Sequence, residues 1–190
     1  PNDVLLDDRK LGGILAEADL VCPAADIQQA LDRMATAITA RLAGDFPLLL
    51  SVMNGAVFLA GQLLPRLNFP LECDYVHATR YRNTIRGHDI EWRALPRQAV
   101  AGRTLLVLDD ILDEGITLAA IKARLLADGA KDCLTAVLAR KELGRPQPVA
   151  ADFVGVTLPD RYVFGCGMDV RGAGAASTST ADAAPTSPPS

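Results

Sequence analysis

The stretch from Thr104 to Leu118 constrains the fold more than any other part of the chain. It reads Thr-Leu-Leu-Val-Leu-Asp-Asp-Ile-Leu-Asp-Glu-Gly-Ile-Thr-Leu. Leu105 to Leu108 contain no polar residue. A half-exposed strand would alternate, so this run predicts a central parallel strand covered on both faces. The strand is expected to end at Asp109-Asp110. A helix should begin near Thr117, with Leu118, Ile121 and Leu125 on one face and Gly129 closing it.

The neighbouring segments repeat this alternation. Ile27, Leu31, Met34, Ile38 and Leu42 recur at helical spacing and predict a helix over 24–43. Pro47 to Met53 reads as a buried strand, and Ala56 to Leu64 as a helix stopped by Pro65. Leu71–Arg80, Leu134–Ala139, Phe153–Leu158 and Tyr162–Gly167 have strand character, and Asp89–Trp92 suits a short return strand. Residues 82–88 are polar and read as a mobile loop. Strands alternating with helices imply an α/β fold with a mostly parallel central sheet flanked by helices. A hydrophobic share of 49% over 190 residues supports one globular domain.

In an open α/β sheet, ligands bind at the carboxyl ends of the strands, which is where Asp109 and Asp110 fall. Two adjacent carboxylates there suit sugar hydroxyls, a hydrated Mg²⁺, or both. The loop Asp113-Glu114-Gly115-Ile116-Thr117 precedes a helix, so its N–H groups and the Thr117 hydroxyl suit a phosphate. Gly115 permits close backbone approach.

Charge and composition narrow the function classes. Lys and Arg number 19 against 23 Asp and Glu, a net charge of −4. A nucleic-acid coat needs a dense basic face, so no nucleic-acid partner is expected. No apolar run reaches the roughly 18 residues of a membrane span, so no membrane partner is expected either. Cys22, Cys73, Cys133 and Cys166 are scattered without a C-x-x-C pair, which points away from a zinc site or disulfide framework. With no secretory pattern in Pro1 to Asp8, the expected location is cytoplasmic. No Walker-type phosphate loop is present.

The run Asp109-Asp110-Ile111-Leu112-Asp113-Glu114-Gly115-Ile116-Thr117 resembles the signature of the type I phosphoribosyltransferases. Three further segments extend the resemblance from about Ile14 to Asp169 and narrow it to the hypoxanthine-guanine branch. Ser51-Val52-Met53-Asn54-Gly55-Ala56 is similar to the family's pyrophosphate loop, in which the peptide between the positions of Met53 and Asn54 is cis. Val137-Leu138-Ala139-Arg140-Lys141 is similar to the strand whose terminal Lys meets the purine 6-oxo group. Asp152-Phe153-Val154-Gly155 and Pro159 to Gly165, ending at Met168-Asp169, resemble the base-binding hood.

The resemblance implies a small hood and a flexible lid on the α/β sheet. It implies Mg²⁺-dependent purine salvage: transfer of 5-phosphoribosyl from 5-phosphoribosyl 1-pyrophosphate to N9 of hypoxanthine or guanine, giving IMP or GMP and pyrophosphate. Asp113 would be the catalytic acid/base at N7. Asp109 and Asp110 would hold the ribose hydroxyls, directly or through the metal shell, and Asp113 to Thr117 the donor phosphate. Met53, Asn54 and Gly55 would meet pyrophosphate, and Asp169 a second Mg²⁺ through water. Lys141, Tyr162 and the backbone of Val163 would bind the purine. Arg80 and Tyr81 would work in the lid over 79–92, with Arg82 and Arg86 either holding phosphates or solvated. Family members are commonly dimers or tetramers, so a homodimer or homotetramer is implied.

Three positions depart from the family pattern. Asn54 stands where Lys is frequent. After Asp169 the usual aromatic residue and pyrophosphate-contacting Arg are missing, Ala175 standing near the Arg position. Weaker donor or pyrophosphate affinity is therefore expected. A xanthine-preferring sibling, a regulatory protein of the same fold and an inactive paralogue remain alternatives. The expected domain is 1–171. Residues 172–190, rich in Ala, Ser, Thr and Pro, read as a disordered low-complexity tail.

Overall fold

The computed structural model describes residues 3–6, 9–13, 20–80, 90–161, 163–166, 168–170, 173–174 and 180–182. The chain opens with β1 (Asp3–Leu6), β2 (Arg9–Gly13) and β3 (Leu20–Cys22). Helix α1 (Ala24–Leu42), strand β4 (Leu48–Val52) and helix α2 (Val57–Leu63) follow, the last running into a 3₁₀ turn at Leu64–Arg66. Then come β5 (Glu72–Arg80), β6 (Ile90–Ala94), β7 (Thr104–Leu112), α3 (Ile116–Ala127), β8 (Asp132–Glu142) and β9 (Phe153–Pro159). Four short strands follow: β10 (Val163–Phe164), β11 (Asp169–Val170), β12 (Ala173–Gly174) and β13 (Thr180–Asp182).

The central sheet has the order β6-β5-β4-β7-β8-β9. Every neighbouring pair is parallel except β5 and β6 at one edge. Leu48, Leu49 and Leu50 of β4 and Leu105 to Leu108 of β7 are all buried. Successive strand residues point to opposite faces, so burial of consecutive residues means that both faces are covered. Helix α2 supplies part of that cover over β7 and β4, and helix α1 packs on β9. The α1 stripe of Ile27, Leu31, Met34, Ile38 and Leu42 is buried throughout, at about 1.5–3 kcal/mol for each large apolar side chain.

Two expectations from the sequence are corrected. Strand β7 does not stop at the acidic pair but continues to Leu112. Its ladder with β8 runs on through Asp109↔Val137, Ile111↔Ala139 and Leu112↔Arg140, and buried Leu112 anchors the extension. Asp109 and Asp110 thus sit within a paired strand, which restrains their backbone. The strand read over Tyr162–Gly167 shrinks to Val163–Phe164, because Gly165 and Cys166 take φ of 104° and 52°. Positive φ cannot continue an extended strand.

A smaller antiparallel sheet joins β10, β13 and β3. Within the low-complexity stretch, Thr180–Asp182 pairs in that sheet and Ala173–Gly174 pairs with β11. Composition does not signal such pairing, since backbone hydrogen bonds need no apolar side chain.

Candidate active site

Strands β4 and β7 are neighbours, yet their connections leave in opposite directions. From β4 the chain passes through α2 to β5 on one side, and from β7 through α3 to β8 on the other. Right-handed crossovers that run in opposite directions across the sheet put α2 and α3 on opposite faces and open a crevice at the carboxyl ends of β4 and β7. A cavity of about 470 Å³ lies there. Met53, Asn54 and Gly55 line it from the loop after β4. Asp109, Asp110 and Asp113 to Thr117 line it from β7 and the loop into α3, and Arg80 from the end of β5.

The two loops are shaped by local requirements. The Met53–Asn54 peptide is cis, as the resemblance implies. Met53 N–H donates to Val76 O at 2.8 Å, which ties the loop to β5. Gly55 lies hard against Asp110: a Cβ there would come within 2.4 Å of Asp110 Oδ2. Gly115 has φ of 76° and immediately precedes α3. In this left-handed conformation glycine pays no Cβ penalty, and the first N–H groups of the helix have no partner within it. An anion at that point would meet those N–H groups and the positive helix end.

The carboxylates are not electrically equivalent. Asp109 Oδ1 accepts from Asp110 N–H at 3.1 Å, and Asp110 Oδ1 accepts from Ile111 N–H at 2.7 Å. Burial, reinforced by the neighbouring Asp110 charge, pushes the Asp109 carboxyl well above the usual carboxylate range. Glu114 behaves oppositely. Arg80 hydrogen-bonds it and Arg145 approaches it at 3.2 Å, and these guanidinium groups hold its carboxyl below the usual range. The acidic pair suits Mg²⁺ as that ion is usually held, by one or two carboxylates plus substrate phosphates rather than a full protein cage. Among the described residues no three His, Cys, Asp or Glu form such a cage.

Lys141, near the end of β8, places Nζ 3.2 Å from Asp113 Oδ2. Lys141 does not itself line the cavity but meets it through Asp113. Val163 is buried in β10, and Asp169 begins β11. Tyr81 and Tyr162, with Arg82 and Arg86, lie outside the described residues.

The sequence reading missed four residues around this site. His77 of β5 and Arg93 of β6 also line the cavity. For His77 a signal was available in principle: apolar Val76 and Ala78 alternate with His77 and Thr79, which therefore share the other face of β5. Arg145 and Gln147, in the loop after β8, reach the acidic loop through Glu114 and through the carbonyls of Leu112 and Asp113. No local pattern announces a contact across more than thirty residues.

Comparison with known proteins agrees with this arrangement. Residues 23–171 match the family model for the phosphoribosyl transferase domain. The chain is 30% identical over 145 residues to the hypoxanthine-guanine phosphoribosyltransferase of Bacillus subtilis, covering 76% of this chain and 81% of that protein. It is 29% identical over 145 residues to the hypoxanthine-guanine-xanthine phosphoribosyltransferase of Tritrichomonas foetus, covering 76% and 79%. A solved hypoxanthine phosphoribosyltransferase from Staphylococcus aureus superposes with a TM-score of 0.83 at 19% identity, covering 93% of this chain and 97% of the other, which speaks for the fold. The chain belongs to the type I phosphoribosyltransferase family, in its hypoxanthine-guanine branch.

Proposed function

We propose that the protein transfers the 5-phosphoribosyl group from 5-phosphoribosyl 1-pyrophosphate to N9 of hypoxanthine or guanine, releasing pyrophosphate. The observation that carries this reading is the meeting of two loops distant in sequence, Met53–Gly55 and Asp109–Thr117, at one crevice. One offers backbone groups and the other carboxylates beside a helix N-terminus. A sugar flanked by two phosphate-bearing ends needs such a pairing.

In this reading the loop from Asp113 to Thr117 holds the 5-phosphate through backbone N–H groups, and Met53 to Gly55 hold the pyrophosphate. Asp109 and Asp110 bind the ribose hydroxyls, and their charge favours the positive charge that develops on the sugar as the C1–O bond breaks. Asp109 and Asp110 would hold Mg²⁺ and Asp169 a second Mg²⁺ through water, and the metal would supply Lewis-acid neutralisation of the leaving pyrophosphate. Asp113 holds or moves the proton at N7 of the purine, within reach of Lys141. Lys141 donates to the 6-oxo group, Tyr162 stacks on the base, Val163 meets its 2-position, and Arg80 and Tyr81 serve a lid. The working unit is 1–171, as a homodimer or homotetramer in the cytoplasm. The Tritrichomonas foetus relative, whose name includes xanthine, favours testing xanthine as a third base.

A spectrophotometric assay with the donor, Mg²⁺ and each of hypoxanthine, guanine and xanthine tests the reading. Formation of IMP or GMP is expected. No product from any of the three bases would overturn it.

A further inference from the structure

The loop from Leu143 to Val149 is not part of any motif described above, yet it contacts successive residues of the acidic loop. Arg145 Nη2 lies 3.2 Å from Glu114 Oε1. Gln147 Nε2 donates to Asp113 O and to Leu112 O. Pro148 and Val149 close on Gly115, where an added Cβ would meet Val149 Cγ1 at 3.3 Å and Pro148 Cδ at 3.5 Å. None of these three residues, nor Arg145, lines the cavity. They touch the acidic loop without entering the space it borders.

This matters because a trans peptide points its C=O and the next N–H in opposite directions. Holding Leu112 O and Asp113 O from the Gln147 side turns the N–H groups of Asp113 and Glu114 the other way. An anion cradle is made of N–H groups aimed together, so whatever fixes the carbonyls fixes the cradle. We propose that Gln147 is a positioning residue for donor binding: its carboxamide clamps the carbonyls of Leu112 and Asp113 and so presets the phosphate-facing side of the acidic loop. This rests on the phosphoribosyl transfer proposed above and extends it to a residue outside the cavity. The arrangement also explains how a loop carrying the Glu114 carboxylate keeps its backbone available to an anion. Arg145 neutralises the side chain while Gln147 orients the peptides.

The test compares the full-length wild type with Gln147→Met, which keeps the size and removes the donor, and Gln147→Glu, which leaves only acceptors. Calorimetric titration with 5-phosphoribosyl 1-pyrophosphate and Mg²⁺ reads donor affinity without any base. Both variants are expected to bind the donor about three- to tenfold more weakly, because the two carbonyls lose the group that orients them. The KM for the oxopurine should stay at the wild-type value and the melting temperature should fall by only roughly 2–4 °C, a split that a merely structural role would not produce. Wild-type donor affinity in either folded variant overturns the proposal. So do donor and base constants that worsen together with the melting temperature. Failure of the wild type itself to bind donor overturns the phosphoribosyl-transfer reading, and this inference with it, before any variant is compared.

Discussion

Gly55 presents its bare α-carbon to the Asp110 carboxylate: a Cβ there would stand 2.4 Å from Oδ2, 2.6 Å from the carboxyl carbon and 2.9 Å from Oδ1. The first loop can therefore approach the second only with glycine at this position. In Gly55→Ala the carboxylate must rotate away, at a cost of about 1 kcal/mol in an off-rotamer side chain. Stability should fall by only roughly 2–4 °C. Turnover should fall by about 10²-fold, because a displacement of about 1 Å in a reacting constellation has that effect. Steady-state kinetics beside a thermal melt separate the two, and an alanine variant with full turnover would remove the contact from the reaction.

Asp113 and Lys141, 3.2 Å apart, call for separate substitutions. Asp113→Asn should lose roughly 10²–10⁴ in kcat, the usual worth of a general acid or base, with donor affinity nearly intact. Lys141→Gln should narrow the discrimination against adenine, because an amide can accept from a 6-amino group whereas an ammonium can only donate. Equal kinetics for Asp113→Asn and wild type would exclude the proton role. Complete rejection of adenine by Lys141→Gln would count against the lysine as the selector.

The pH dependence of stability should carry the mark of Asp109. Burial and the Asp110 charge raise its folded-state pKa above the value near 3.9 of an unfolded aspartate. Between those two values the folded state binds the extra proton. Stability therefore falls as pH rises from about 4 through the folded pKa and is level beyond it. Asp109→Asn removes this slope and should melt higher than wild type at neutral pH, by roughly 2–4 °C per kcal/mol regained. Thermal melts in EDTA across the acid-to-neutral range would show it, and a wild-type profile that rises with pH there would contradict this sign.

Gly155 tests the packing of the sheet rather than the site. A Cβ there would lie 2.5 Å from Leu138 O in the adjoining strand β8 and 3.0 Å from Met34 Sδ of α1. The nearest obstacle is backbone, so β9 has to shift. Gly155→Ala should cost about 1–3 kcal/mol by overpacking and lower the melting temperature by roughly 3–10 °C. Turnover per folded molecule should be much less affected. A melt unchanged from wild type would mean that β9 yields freely.

Much of the fold is legible along the chain because its signals are short-range. Leu105–Leu108 report a strand covered on both faces, and the five-residue stripe of α1 reports its buried side. The acidic loop is legible for the same reason: carboxylates, a glycine able to take positive φ and a helix start occupy nine consecutive residues. Strand ends are less legible. Asp109 and Asp110 look like the end of β7, but pairing with β8 carries the strand three residues past Asp109, to Leu112. That decision belongs to the partner strand.

The site divides along the same line. By itself the sequence determined the residue types of each loop, the order of the strands and helices of the central sheet from α1 to β9, and the family to which they belong. Tertiary structure alone decided which of those pieces meet. Gly55 faces Asp110, Lys141 reaches Asp113, and Arg80 and Arg145 converge on Glu114. Gln147 holds the carbonyls of Leu112 and Asp113. The physical reason is that a local pattern sets which way each backbone bends and which faces are apolar. Contacts between segments 28 to 55 residues apart depend instead on the register of parallel strands and the direction of each crossover, and both are settled when the sheet assembles.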